Sequence, residues 1–392
     1  MSDVKFSKEE FAKRLAEVKA AMSKRGFDVL VITEPSNIYY LTGYDSWSFY
    51  TPQALVVALD ADMPIWFGRM MDGASARRIT YLPEDSIQPY PDSYVQAVDR
   101  HPFQLLAQLI EKRGWGTKTI AVESDAYYYT ARSHALLVEG LPNARFKDAE
   151  LLVNWVRIVK SPQEIRYLEE AGQIVERMLA RALETIAPGV RECDVIGALY
   201  QAQMSGTPEF GGVYSTSPMF FCADERAGEP HAIWSDRPLR SGVPINLEMA
   251  GVRHRYHGPI SRTIFLGKPP QAYRDLAAGV VEGLNAALDA VKPGKTGEQI
   301  EDVWRKTIAK HGIEKESRIG YSIGIGFPPT WGERTASLRP GDRTVLQPNM
   351  AFHMMTGVWA KDTGVTITQA FYVTDTGHKP LTSVPRELIV KD

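Results

Sequence analysis

Glu248 stands in Ile245-Asn-Leu-Glu-Met-Ala250, a run in which every second side chain is apolar. In a strand, that alternation puts Asn246, Glu248 and Ala250 on one face and Ile245, Leu247 and Met249 on the other. A carboxylate on such a strand is costly to bury unless a partner or a substrate meets it. Glu248 is therefore a candidate base or nucleophile, the alternative being a sheet carboxylate paired to Arg253, Arg255 or Arg262. His231 lies in a Pro- and Gly-rich run from Gly228 to Gly242. Its imidazole is suited to accept and donate protons near neutral pH, although a histidine in such a loop is more often a surface or capping residue. Trp331 and Glu333, in Phe327-Pro-Pro-Thr-Trp-Gly-Glu-Arg334, could clamp a small cation through ring quadrupole and charge; a solvated loop with a packed Trp is the other reading. His254 and His257 form a His-x-x-His pair, a metal-binding spacing on a helix. Gly251, Gly258 and Pro259 around it predict strands and a turn instead, where the two rings point to opposite faces.

The elements that must hold these residues are readable. At 392 residues the chain is long enough for two domains, each with its own core. Ser7 begins a capping-box-like helix start, followed by Phe11, Leu15, Val18 and Met22 at helical spacing. Residues 28–33, 54–59 and 119–123 are short apolar, β-branched runs that predict buried strands, and Phe103 to Lys112 predicts a helix. Strand–helix alternation over the first ~150 residues suggests a small α/β domain. It has no glycine fingerprint after its first strand, and Gly324-Ile-Gly326 is a lone, weak pattern, so nothing points to a nucleotide. At the domain boundary Ser161 can cap a helix with Pro162 in its first position and Glu164 three residues after the cap. That helix is expected to run to about Ile186 with one apolar stripe formed by Ile165, Leu168, Ala171, Ile174, Val175, Met178 and Leu179.

Composition excludes several classes. The net charge is −2, with 44% hydrophobic and 23% charged residues, and no long basic run offers a footprint for nucleic acid. Cys193 and Cys222 are the only cysteines, too few for a disulfide framework or a zinc motif. No ~20-residue apolar span and no signal-peptide core are visible, so a protein of the reducing cytoplasm, off the membrane, is expected.

Four segments carry a resemblance: Pro244 to Phe265, Gly320 to Gly326, Asn349 to Gly357 and Gly364 to Gln369, together with the Arg157-Ile-Val-Lys-Ser-Pro-Gln-Glu-Ile165 linker. They are similar to the core of the creatinase/prolidase/methionine-aminopeptidase superfamily. The resemblance implies an α+β pita-bread catalytic domain, a curved antiparallel sheet covered by helices, over residues 157–392. A smaller creatinase-type α/β domain over residues 1–156 would precede it. Peptidases of that superfamily hold two metal ions with two Asp, one His and two Glu, and those positions fall here on Glu248, Pro259, Tyr321, Met355 and Thr368. Of these only Glu248 is a ligand for a hard cation, so neither metal nor other cofactor is expected.

By the same resemblance His231 is the proton shuttle. His353, two residues before Met355 on the same strand face, should reach the cavity floor. Tyr321, Tyr256, Trp331 and Glu333 are expected to line the substrate pocket. The run Trp47 to Tyr50 resembles a segment that reaches into a partner subunit's site, which implies a homodimer with Phe49 and Trp47 against the partner's substrate. The carboxylate-binding Arg of that segment is Thr51 here. The particular replacements resemble the ectoine hydrolases within the superfamily. They imply metal-independent hydrolysis of a small cyclic amidine; the alternatives are a creatinase-like amidinohydrolase acting on another small C–N compound and a metal-dependent Xaa-Pro dipeptidase.

Overall fold

The computed structural model describes residues 4–360 and 363–392; the first three residues of the segment scanned for a leader lie outside them. The chain divides into two compact units, residues 1–157 and 158–392. In the first unit a mixed six-stranded sheet has the order β4-β3-β2-β1-β5-β6. Its strands are β1 (Val29–Ile32), β2 (Ala54–Ala58), β3 (Ile65–Arg69), β4 (Ile87–Tyr90), β5 (Thr119–Val122) and β6 (Arg145–Asp148). The helix Pro102–Lys112 packs Phe103, Leu106 and Ile110 onto Val29, Val31, Val56 and Ile120 of this sheet. Ser7 caps the opening helix Lys8–Arg25 by accepting the Glu10 N–H, and Phe11, Leu15, Val18 and Met22 are all buried.

The second unit is built on a nine-stranded sheet. Its strands include β7 (Phe220–Ala223), β8 (Val243–Arg253), β9 (Tyr256–Leu266), β10 (Gly320–Phe327), β11 (Thr330–Leu338) and β12 (Ala351–Met354). A separate two-stranded ribbon joins β13 (Val358–Ala360) to β14 (Thr363–Val365). The main sheet is completed by β15 (Gln369–Val373), β16 (His378–Pro380) and β17 (Ile389–Lys391). Its main path is β16-β15-β12-β10-β9-β8-β7, with β11 on β10 and β17 on β9. All pairings are antiparallel except β17 with β9.

The helix Pro162–Thr185 begins with the expected capping box, the Ser161 and Glu164 side chains each accepting the other's backbone N–H. Its buried stripe, Ile174, Val175, Met178 and Leu179, packs on Ile245, Leu247, Met249, Ile260 and Ile264. This contact decides the orientation of Glu248: with Ile245, Leu247 and Met249 turned to the helix, period-two alternation sends Glu248 off the other face. The helix also comes unusually close. A Cβ on Gly251 would lie 2.1 Å from the Ala171 carbonyl oxygen, and one on Gly258 2.9 Å from the Gly172 nitrogen. The glycines of the β8–β9 hairpin are thus required by backbone approach rather than by turn geometry. A second core joins Leu284 and Leu288 of the helix Gln271–Ala290, and Trp304 and Ile308 of the helix Gly297–Ala309, to Phe352 and Phe371 of the sheet.

One element differs from expectation. The segment Phe327–Arg334, read as a loop, is mostly strand: β11 pairs with β10 as a hairpin turning at Pro328-Pro329. The two prolines, which lack donors, confine the turn to themselves, and alternate side chains after them enter the interior, where Trp331 and Glu333 are buried.

Candidate functional site

Beside Glu248 the sheet face opens into a cavity of about 310 Å³, lined by Pro230, His231, Glu248, Lys315, Ser317, Arg318, Tyr321, Met355 and Trp359. That volume lies at the lower end of small-ligand sites. A wider recess of about 690 Å³ shares Lys315, Ser317, Arg318 and Trp359 and continues to Arg339 and Gly357. Four elements meet here: β8 supplies Glu248, β10 Tyr321, the end of β12 Met355, and the turn after β7 His231.

Glu248 sits opposite Phe220 on β7 and Ser261 on β9. It is 9% exposed, and no ion pair holds it among the described residues. The arginines that could have neutralised it are committed elsewhere. Arg262 gives its guanidinium to the backbone oxygens of Ser261, Thr368, Val384 and Pro385 at 2.6–3.2 Å, and Arg253 pairs with Glu170 at 2.8 Å. Burial pushes the Glu248 carboxyl up to about 8, with the Ser261 side chain partly offsetting it. A carboxyl poised near neutrality and facing a cavity is suited to proton transfer. His231 is exposed on the same cavity, its ring 5.1 Å from Phe220.

Behind the cavity wall runs a closed hydrogen-bond chain. The Trp331 indole N–H donates to the Tyr321 hydroxyl at 2.9 Å, and that hydroxyl lies 3.1 Å from His353 Nδ1. His353 Nε2 lies 2.8 Å from Thr368 Oγ1, which also accepts the Ser261 N–H at 2.7 Å. His353 is fully buried, and burial together with Arg262 lowers its pKa to about 3. It therefore does not reach the cavity floor as expected; it stands behind Tyr321, neutral, with both nitrogens engaged. Tyr321 itself lines the cavity, and burial with the charge of Glu248 raises its pKa, keeping the phenol protonated.

The other expected pocket residues are structural. The Tyr256 hydroxyl donates to Glu164 at 2.7 Å from a fully buried position. Glu333 forms an ion pair with Lys160 at 2.6 Å, both side chains 1% exposed, so its charge is already met. Trp331 braces Tyr321 rather than facing the cavity. His254 lies in the β8–β9 turn with its ring 4.6 Å from Tyr167, while His257 is buried and engages the Arg255 carbonyl. In the first unit Phe49 is buried between the rings of Trp47 and Tyr128, at 4.6 and 5.3 Å, and Trp47 is 54% exposed. Sequence reasoning missed Lys315, Arg318 and Trp359. The alternating charges of Glu314-Lys315-Glu316-Ser317-Arg318 look like any solvated turn, and no spacing signal marks them out.

The residues do not fit a dinuclear metal centre. At the five positions of the superfamily's ligands stand a carboxylate, a proline, a phenol, a thioether and a hydroxyl, and the hydroxyl of Thr368 is tied to His353 and Ser261. Among the described residues no group of three or more His, Cys, Asp or Glu side chains could hold a metal ion.

A two-unit chain with this antiparallel sheet and a Glu on its ligand strand defines a class, and comparison with known proteins identifies it. Metallopeptidase family M24 matches residues 166–375 and the Creatinase/Prolidase N-terminal domain residues 14–159; the chain belongs to this family. It is 57% identical over 387 residues to the uncharacterized hydrolase/peptidase y4tM of Sinorhizobium fredii, covering 99% of each chain. It is 43% identical over 393 residues to the ectoine hydrolase of Halomonas elongata, covering 98% of each. Among solved structures, a Thermococcus sibiricus prolidase superposes with a TM-score of 0.84 at 19% identity, over 97% of this chain and 99% of that one. A Pyrococcus horikoshii dipeptidase gives 0.82 at 21%, over 96% and 99%. These superpositions establish the pita-bread fold with its N-terminal companion domain.

Proposed function

We propose that this protein is a hydrolase that opens the cyclic amidine ring of ectoine to N-acetyl-diaminobutyrate without a metal ion. The observation that carries the reading is the pairing, on one small cavity, of an uncompensated buried Glu248 with His231, on a scaffold whose metal-ligand positions hold no metal-binding set. Full-length similarity to an ectoine hydrolase supports the substrate.

Ectoine is a cyclic amidinium bearing a ring carboxylate. Its cationic carbon is electron-poor and is drawn to the Glu248 charge, which removes much of the need for a Lewis acid. Glu248 supplies the electron pair, either to that carbon directly or by deprotonating the attacking water. A C–O bond forms, one ring C–N bond breaks, and His231 delivers the proton to the departing nitrogen; where Glu248 itself is the nucleophile, a water molecule then cleaves the Glu248–substrate C–O linkage, releasing the product and restoring the carboxylate. The Tyr321 phenol, held by Trp331 and His353, presents a fixed polar wall to the ring. Trp47 and Tyr50, the exposed side chains of the Trp47 to Tyr50 run of the first unit, are assigned to a homodimer contact that completes the partner's site; sedimentation showing an active monomer would refute that assignment.

Purified protein treated with chelator and incubated with ectoine should still yield N-acetyl-diaminobutyrate by mass spectrometry. Loss of activity on stripping, restored by zinc, manganese or iron, would refute the metal-free reading.

A further inference from the structure

We propose that Lys315 and Arg318 form an anion subsite that takes the carboxylate of a zwitterionic substrate whose cationic end meets Glu248. The identity of that zwitterion rests on the ring-hydrolysis reading above; the subsite itself rests on the geometry.

Both side chains line the same 310 Å³ cavity as Glu248. Both also line the wider recess, so they stand where the inner cavity opens outward. Their charges are not spent. A guanidinium offers five N–H donors; Arg318 gives one, to Ser337 Oγ at 3.1 Å. An ammonium offers three; Lys315 gives one, to the Gly357 carbonyl at 2.6 Å. Neither group has a carboxylate within ion-pair distance among the described residues, although Glu314 and Glu316 line the outer recess. Arg253 and Arg305, by contrast, are carboxylate-paired.

The two cations are also oriented. The Arg318 guanidinium lies 4.5 Å from the centre of the Tyr321 ring, and Lys315 Nζ lies 4.5 Å from that of Trp359. Tyr321 lines the cavity with both Glu248 and Arg318, and the opposed charges of both act on its hydroxyl. A cavity with one buried carboxyl and two unpaired cations is complementary to a small molecule carrying both signs. A cation lacking a carboxylate would leave the two basic groups unmatched, which is how the site would discriminate. The first unit offers no substitute at the expected position: the buried Thr51 hydroxyl is neutral and donates to the Ser48 carbonyl.

The test compares wild type with Lys315→Met, Arg318→Gln and the double variant, on ectoine and on the same ring lacking its carboxylate. Thermal melting confirms that the variants fold. Charge-assisted hydrogen bonds of this kind correspond to roughly 10- to 100-fold in binding. The double variant should therefore raise KM for ectoine by about that factor with kcat changed little, and should leave the carboxylate-free ring unaffected. The wild-type preference for ectoine would then collapse. A double variant that keeps this preference overturns the subsite. If wild type hydrolyses neither ring, the ring-hydrolysis reading fails by itself, and calorimetry with ectoine then decides the subsite. Binding lost in the double variant supports it, whereas equal or absent binding in wild type and variant overturns it.

Discussion

The Tyr321 hydroxyl accepts the Trp331 indole N–H at 2.9 Å and lies 3.1 Å from His353 Nδ1, so one oxygen ties the cavity wall to both a tryptophan and a buried histidine. The other ring nitrogen, Nε2, lies 2.8 Å from Thr368 Oγ1, so both imidazole nitrogens are engaged by hydroxyls. A histidine so engaged is a neutral brace and not a proton shuttle, and it leaves His231 as the imidazole on the cavity.

Glu248→Gln keeps size and hydrogen bonding but removes the charge and the base or nucleophile. Ectoine turnover, followed by mass spectrometry, should fall at least ~10²-fold with folding intact. His231→Ala should cause a comparable loss, and the double variant should be little worse than either, because the two act as a unit. A Glu248→Gln enzyme with near wild-type rate would remove this residue from the mechanism.

The pH profile follows from the raised carboxyl. Glu248 must be ionised to meet the amidinium, and in the free protein it ionises with a pKa of about 8. kcat/KM should therefore climb as pH rises toward 8, since that ratio reports the free enzyme, and fall again above it as Lys315, whose pKa burial lowers to about 8, loses its charge. A profile flat between pH 6 and 9 would contradict this assignment.

The same shift makes a stability prediction. The folded carboxyl holds its proton up to about pH 8, whereas the unfolded chain loses it near 4.5. Stability is therefore fully present below 4.5 and is drained as pH rises to 8. Glu248→Gln cannot ionise, so its melting temperature should exceed that of wild type by a margin that widens from pH 5 to 8 and is constant above. A margin that shrinks over this interval would show that the carboxylate is compensated in the fold.

His353→Asn removes the imidazole that holds the Tyr321 hydroxyl. Losing one such bond is worth about 1 kcal/mol, so activity should drop roughly 5-fold while the pH profile keeps its shape. A new or displaced limb in the profile would return His353 to proton transfer.

Gly251→Ala tests the close helix approach. The added Cβ would meet the Ala171 carbonyl oxygen at 2.1 Å, and overpacking of this kind typically costs about 1–3 kcal/mol. Chemical denaturation should show the loss, and a neutral result would mean that the helix Pro162–Thr185 moves freely away from β8.

Periodicity determined much of this protein before any coordinates. The capping box at Ser161, the stripe of the following helix and the alternation around Glu248 are local properties, encoded in neighbouring residues and carried unchanged into the fold. The residue types at the superfamily's ligand positions were legible too, through the family resemblance and not through periodicity. Which polar residues face the cavity was decided only by tertiary packing. His353, Trp331, Glu333 and Tyr256 have the residue types of a site, but partners distant in sequence claim them: Tyr321 and Thr368, Lys160, and Glu164. Lys315 and Arg318 have the look of a solvated turn, yet they line the cavity, and no carboxylate among the described residues pairs with them. Residue type and spacing report what a side chain can do; whether it is free to do so depends on contacts that only the folded chain brings together.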